Sequence, residues 1–263
     1  MTRVTSASVL AVAAALIPST MAHIGIFHPS VYGFHGPDSG IHEPLHSMSI
    51  SRWLFHGNPT PPPDGAKMQL PSGGNVTIEV ACEKRHTSFG GANPSSNHPC
   101  PTDPAAAHSG PDMADANLRG CALAIAYKSN PAEVRLGDFV VFSVNHYCVK
   151  TLRTVFEVPA GMPPCPNGKC VCGWFWQGQV SNDEMYMNGF DCEILNGDPA
   201  KKIGNPQPPK ECRQGMGPCV QGPKQPMYWA NEGANIEYHG YDRKPAYLDY
   251  WGYKDGAQND IFV

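Results

Sequence analysis

The chain has 263 residues, 41% of them apolar, with 27 glycines, 27 prolines and a formal charge of −4. That length and apolar share suffice for one well-packed core of ordinary domain size, while so many prolines and glycines, which remove amide donors or cost backbone entropy inside regular elements, exclude a long-helix architecture. Removing residues 1–22, whose only charged residue is Arg3, leaves 18 basic against 23 acidic residues, and this acidic balance excludes nucleic acid as a partner because a polyanion rewards a basic face.

In chain order, residues 1–22 read as a secretory signal peptide. Arg3 supplies the positive start, residues 9–17 the apolar stretch, and Thr20-Met21-Ala22 a small-x-small cleavage site. Cleavage after Ala22 makes His23 the first residue of a mature chain, 23–263, expected to fold as a single domain. The apolar run is too short to span a bilayer, no second run of about 18 or more apolar residues occurs, and residues 258–263 lack a lipid-anchor tail. The expectation is a soluble, monomeric, secreted extracellular protein with no membrane partner. A short helix is predicted at 47–55 on Met48, Ile50, Leu54 and Phe55, followed by a proline-rich stretch at 59–64. Strand-type runs rich in β-branched and aromatic residues then recur at 76–82, 121–127, 139–144, 154–158, 173–177, 184–187 and 191–194. Seven short strands between Gly/Pro/Asn turns predict an all-β fold, an immunoglobulin-like antiparallel β-sandwich with long disulfide-stapled loops and few short helices. The longest irregular stretches are 90–120, with His98 and His108, and 198–226; loops of that length inside a domain commonly carry function. There are no internal repeats.

All ten cysteines follow residue 22, an even number in an oxidising route, and predict five disulfides. The competing reading is zinc held by the closely spaced Cys165, Cys170 and Cys172. Cys170-Val171-Cys172 is too tight to close on itself, so those two sulfurs are expected to reach different partners. Asn75-Val76-Thr77 is a glycosylation sequon that places its segment on the surface.

An N-terminal His23 offers one metal two nitrogens, the α-amine and the ring. A second histidine would complete three nitrogens in a T-shaped plane, a donor set that suits Cu(II). Ten histidines could serve: His28, His35, His42, His46, His56, His86, His98, His108, His146 and His239. Spacing does not choose among them. His42 and His46 would share a helix face, but Pro44 between them argues against a regular helix.

The blocks His23-Ile24-Gly25-Ile26-Phe27-His28, Trp53-Leu54-Phe55-His56-Gly57, Gly120-Cys121-Ala122-Leu123-Ala124-Ile125-Ala126-Tyr127-Lys128, Trp174-Phe175-Trp176 and Tyr186-Met187-Asn188-Gly189-Phe190 resemble the fourteenth auxiliary-activity family of lytic polysaccharide monooxygenases. Phe142-Ser143-Val144-Asn145, 159–165, Lys224-Gln225-Pro226 and 255–262 continue the resemblance in the same order, so it covers essentially the whole chain after residue 22. The resemblance implies one copper ion per chain, held by His23 through amine and ring and by His108, with Tyr186 in the axial place. It also implies O2 or H2O2 as co-substrate, an external reductant as electron donor, and insoluble polysaccharide as partner, namely xylan on cellulose.

Glu184 precedes Tyr186 by two residues, and i and i+2 share a strand face, so its carboxylate is expected beside the copper site, placed to hydrogen-bond the oxygen co-substrate and pass a proton. The family resemblance leads one to expect glutamine there; this chain has glutamate. Gln177 is a weaker candidate for the same surroundings. Tyr238, Tyr241, Tyr247, Tyr250, Trp251 and Tyr253 either lie against sugar faces or pack a loop onto the sandwich. The resulting expectation is a copper monooxygenase that breaks polysaccharide chains oxidatively. The alternative is a secreted copper-binding or copper-delivery protein on the same fold; a hydrolytic glycosidase lacks an evident pair of facing carboxylates.

Overall fold

The computed structural model describes residues 23–46, 48–91, 93–94, 96–110, 112–179, 183–213, 215–229, 231–238 and 244–263. The signal sequence, His239, Tyr241 and the first residue of the predicted helix at 47–55 lie outside them.

Two sheets form the frame. β1 (Gly25–Phe27), β3 (Asn75–Ala81) and β6 (Arg153–Glu157) pair antiparallel in the order β1-β3-β6. The second sheet runs β2-β8-β7-β4-β5-β9, with β2 at Met68–Pro71, β4 at Cys121–Ala126, β5 at Val140–Asn145, β7 at Cys170–Trp176, β8 at Tyr186–Leu195 and β9 at Gly256–Ala257. One core lies between the sheets, built on Ile26, Ile78, Leu123, Phe142, Trp174 and Phe190. A second lies on the other face of the larger sheet, where Phe139, Phe175 and Met187 meet Trp53, Trp229, Tyr247 and Trp251 from irregular segments.

This three-layer arrangement explains the sequence patterns. β4 and β7 are buried at every position because each face has a cover, so they read as continuous apolar runs. β6 alternates exposed and buried residues because only one of its faces is covered.

The seven predicted runs fall on six strands, with four corrections. The runs at 184–187 and 191–194 are one ten-residue strand, β8. The sandwich is not wholly antiparallel, since β2 pairs parallel with β8 from Met68↔Cys192 to Pro71↔Leu195. The predicted helix at 47–55 shrinks to α2 (Ile50–Trp53), preceded in the chain by α1 (Ser39–His42) and followed by a turn in which Phe55 and His56 take positive φ. β1, β2 and β9, of three, four and two residues, are too short for any periodicity to reveal them.

The ten cysteines form five disulfides: Cys82–Cys100, Cys121–Cys148, Cys165–Cys170, Cys172–Cys192 and Cys212–Cys219. Cys170 and Cys172 do reach different partners, and with no thiol left over the zinc reading falls. Cys82–Cys100 anchors the start of the 90–120 loop and Cys212–Cys219 staples the 198–226 stretch. Tyr247, Trp251 and Tyr253 are buried and so pack the C-terminal segment onto the larger sheet. No helix among the described residues is long and apolar enough to cross a membrane.

Gly189, inside β8, is required by packing. A Cβ there would run into the Phe55 ring and Tyr32, both buried against the strand. Gly189→Ala is therefore expected to cost about 1–3 kcal/mol, read as a lowered urea midpoint with unchanged slope.

Candidate metal centre

β8 alternates its side chains between the two cores. Tyr186 and Phe190 face the inter-sheet core, while Met185 and Met187 face the irregular layer. Asn188 shares the side of Tyr186 by strand periodicity and is 2% exposed. Its Oδ1 accepts from the Ile26 amide at 3.0 Å and its Nδ2 donates to the Ile41 carbonyl at 2.7 Å. One buried amide thus ties β1 and α1 to β8.

Further ties follow along the same strand. Val31 bridges Phe190, the Tyr32 amide donates to the Gly189 carbonyl at 2.9 Å, and Leu45 bridges Met185. These segments cover the edge of β8 that β2, pairing only from Cys192 onward, leaves bare. An exposed edge would invite foreign strands.

His23 stands two residues ahead of β1. Its ring meets that of His42, the last residue of α1, edge to face at 5.0 Å and 78°. His42 Nδ1 is buried and makes no hydrogen bond among the described residues. Burial lowers the His42 pKa, and the neighbouring His23 lowers it further, against the raising effect of Asp38, Glu43 and Glu83.

His108 comes from the long 90–120 loop. It ends a 3-10 turn, Pro104–Ala107, with φ 41° and ψ 34°, a left-handed conformation that costs a side-chain-bearing residue about 1–2 kcal/mol. Backbone bonds hold it there: its amide donates to the Ala105 carbonyl and its carbonyl accepts from the Gln179 amide, both at 3.0 Å. Strain retained at one residue by its surroundings is common at functional positions. The ring is 12% exposed, with Nε2 4.0 Å from Glu184 Oε2, and Glu184 is 17% exposed.

The Tyr186 hydroxyl donates to the same Glu184 oxygen at 3.2 Å, and its ring packs on Trp176 at 4.7 Å. Burial, reinforced by the charge of Glu184 and this hydrogen bond, pushes the phenol pKa well up. Lys244 lies in the field of Asp183 and Glu184, which oppose the lowering of its pKa by burial.

His108, Glu184 and Tyr186, all expected at one site, are therefore together at the head of β8. His23 is placed by its contact with His42 and by the Asn188 tie to the same strand. Among the described residues no three His, Cys, Asp or Glu side chains form a metal-holding group. The expected donors contain only two such side chains, His23 and His108; the others are the phenol of Tyr186 and an amine that exists only once His23 is terminal. Two imidazoles and an amine, with a phenol beside them, are a donor set that would suit copper, which favours nitrogen ligands.

Gln177 is occupied otherwise, since its Oε1 accepts from Trp229 Nε1 within the second core. Several other histidines are engaged locally: His56 with the Met187 carbonyl, His98 with the Cys100 amide and His146 with the Tyr253 carbonyl. The sequence reading missed the roles of Asn188, His42 and Lys244. Only Asn188 lay where a signal stood, inside the block 186–190 that carries the family resemblance.

Replacing Asn188 by leucine, which matches its shape but cannot hydrogen-bond, leaves a buried amide and carbonyl unpaired. A loss of about 1–3 kcal/mol is expected, with faster hydrogen exchange at the Ile26 amide; unchanged exchange there would show that β1 is held by other contacts.

The family model described as Lytic polysaccharide monooxygenase AA14 matches residues 5–263. Lytic polysaccharide monooxygenase B of the AA14 family from Trametes coccinea (strain BRFM310) is 38% identical over 97% of this chain and 66% of its own length. The B protein of that family from Pycnoporus cinnabarinus is 36% identical over 97% of this chain and 74% of its own, and the A protein from Trametes coccinea is 37% identical over 97% and 64%. The chain thus spans about two thirds of the length of these relatives. Among solved structures, a cellulose-active polysaccharide monooxygenase from M. thermophila aligns at 7% identity and a TM-score of 0.40 over 70% of this chain and 80% of that one.

Proposed function

From the premise that the chain belongs to the lytic polysaccharide monooxygenase AA14 family, we propose that it is a secreted copper-dependent oxidoreductase that cleaves plant cell-wall polysaccharide, with xylan on cellulose as substrate. The observation that carries this reading is the grouping of His108, Glu184 and Tyr186 at the head of β8, the strand to which Asn188 ties the His23 segment. In this reading the signal is cut after Ala22, residues 23–263 act as one monomeric domain, and one copper ion is held by the amine and ring of His23, the ring of His108 and, weakly, Tyr186. Five disulfides support passage through an oxidising compartment.

Copper, when bound, supplies the one-electron chemistry by which O2 or H2O2, with an external reductant, oxidises a C–H bond beside a glycosidic link. The protein's own residues do the rest. Tyr186, whose pKa burial and Glu184 push up, would offer the ion a phenol oxygen as a weak further donor. Glu184 holds that phenol through Oε2 and keeps a carboxylate beside the His108 ring, where it can hold a proton for the oxygen co-substrate or pass one on. The backbone of His108 is held by two hydrogen bonds, which limits how far the point of attachment of its ring must move when the ligands assemble.

Two measurements test the reading. The processed protein with one equivalent of Cu(II) is expected to give an axial, nitrogen-rich electron paramagnetic resonance spectrum that changes when one residue is added before His23; identical spectra would remove the N-terminal centre. Glu184→Ala is expected to keep copper affinity while lowering oxidised-sugar release from xylan-coated cellulose by roughly 10–100-fold. Full turnover in that variant would remove Glu184 from proton handling, and copper binding by the unmodified protein without any sugar oxidation would leave a copper-carrying role in place of the enzyme.

A further inference from the structure

Away from the His23–His108 region, a cleft of about 520 Å³ is lined by residues of both sheets, among them Phe27, His28, Gln69, Thr77, Phe89 and Arg153. Its volume is that of an ordinary small-ligand site. His28 lies five residues beyond His23 along the β1 segment, about 16 Å at the rise of an extended chain.

Phe89 is one of the few large apolar side chains left exposed, at 37%, and it is held rather than loose. Its ring stands edge to face between His28, at 5.8 Å and 83°, and Phe34, at 5.7 Å and 89°. Its amide donates to Thr87 Oγ1 at 3.2 Å. The preceding Ser88 gives both its amide, at 2.7 Å, and its hydroxyl, at 2.8 Å, to the buried Glu79 carboxylate. An aromatic ring fixed in place before binding loses little conformational entropy when a ligand covers it.

The charges of the cleft are already balanced. Lys67 pairs with Glu193 at 2.7 Å and Arg153 with Glu79 at 3.4 Å. Little field therefore remains to draw in an anion, while Gln69 and Thr77 are exposed at the rim with hydrogen-bonding groups to spare. Burial lowers the His28 pKa, which keeps that ring uncharged at neutral pH as well. A preset aromatic face beside uncharged and mutually neutralised polar groups matches a ligand with apolar C–H faces and a rim of hydroxyls.

We propose that this cleft is a second, non-catalytic binding site for an uncharged glycan segment, in which Phe89 covers a sugar face and Gln69 and Thr77 take hydroxyls. It would hold the protein on polysaccharide independently of the metal. The inference extends the function proposed above to a second contact with the same substrate class, but it is tested on metal-free protein, so either reading can fail alone.

The test is titration of the metal-stripped protein with xylohexaose and with cellohexaose, followed by calorimetry and amide NMR shifts. The expected result is saturable binding with shifts at residues 69, 77, 88 and 89. Binding should weaken about tenfold or more in a Phe89→Ala/Gln69→Ala variant whose copper affinity is unchanged. Both side chains are exposed, so the variant should fold; the shift map of the unmodified protein gives an independent answer if it does not. Absence of binding at millimolar sugar, shifts confined to other surfaces, or undiminished binding in the variant would overturn the proposal. So would salt-sensitive preference for an oligogalacturonate of the same length, which would mean an anionic ligand.

Discussion

A primary amide buried between two sheets is tolerated only when both its ends are bonded, because each unpaired polar atom there costs about 1–3 kcal/mol. Asn188 meets that condition through Ile26 and Ile41, and the placement of the N-terminal segment depends on this. Since β1 is only three residues long, its pairing with β3 alone would fix it weakly. The same holds for the four residues of α1, far below the length at which a helix is stable by itself. Asn188 on β8 adds a polar tie to both elements, beside the burial of Ile26, Phe27 and Ile41 in the inter-sheet core. The strand that bears Tyr186 thereby also positions His23 and His42.

The larger features of the fold were legible because burial writes itself into composition. β4, β5 and β7 announce themselves as apolar runs, since they lie in a sheet covered on both sides; β6, in a sheet covered on one, alternates in burial but not in residue type, with Thr154 turned in and Val155 out. What failed was local inference about interruptions. The residues 188–190 fell between two predicted strands; Gly189 instead continues one strand, as glycine does where another group approaches closely, and makes room for Phe55 and Tyr32. The helix at 47–55 failed for the converse reason. Its apolar spacing is real, but Phe55 and His56 adopt left-handed backbone, which residue type does not suggest for phenylalanine, and Phe55 there packs against Gly189.

For the candidate site, the chemistry of a terminal histidine pointed to His23, but spacing could not pick a second ring from ten. That choice came from resemblance. The reason is physical: His108 sits in a loop between two disulfides, Cys82–Cys100 and Cys121–Cys148, and a loop closed by tertiary contacts leaves no periodic signature. Glu184 was reachable from Tyr186 by the two-residue repeat of a strand, and its carboxylate is indeed on the phenol, although the strand itself starts only at Tyr186. His42 and Lys244 come from segments that nothing in the sequence connects to β8.

The placement of Glu184 also bears on why the site would be more than a holder of metal. A carboxylate withdrawn from most of its water loses solvation that its partners must replace, and here the replacements are a phenol proton and the neighbouring Lys244 charge. Neither partner is needed to bind copper through amine and imidazole nitrogens. A site built only for affinity would be served by an apolar side chain at position 184, which would pack against His108 without that solvation cost. Retaining a carboxylate there, with a hydrogen bond accepted from Tyr186 and an imidazole 4.0 Å away, makes sense where a proton must be passed during turnover. That consideration favours the oxidase over the carrier.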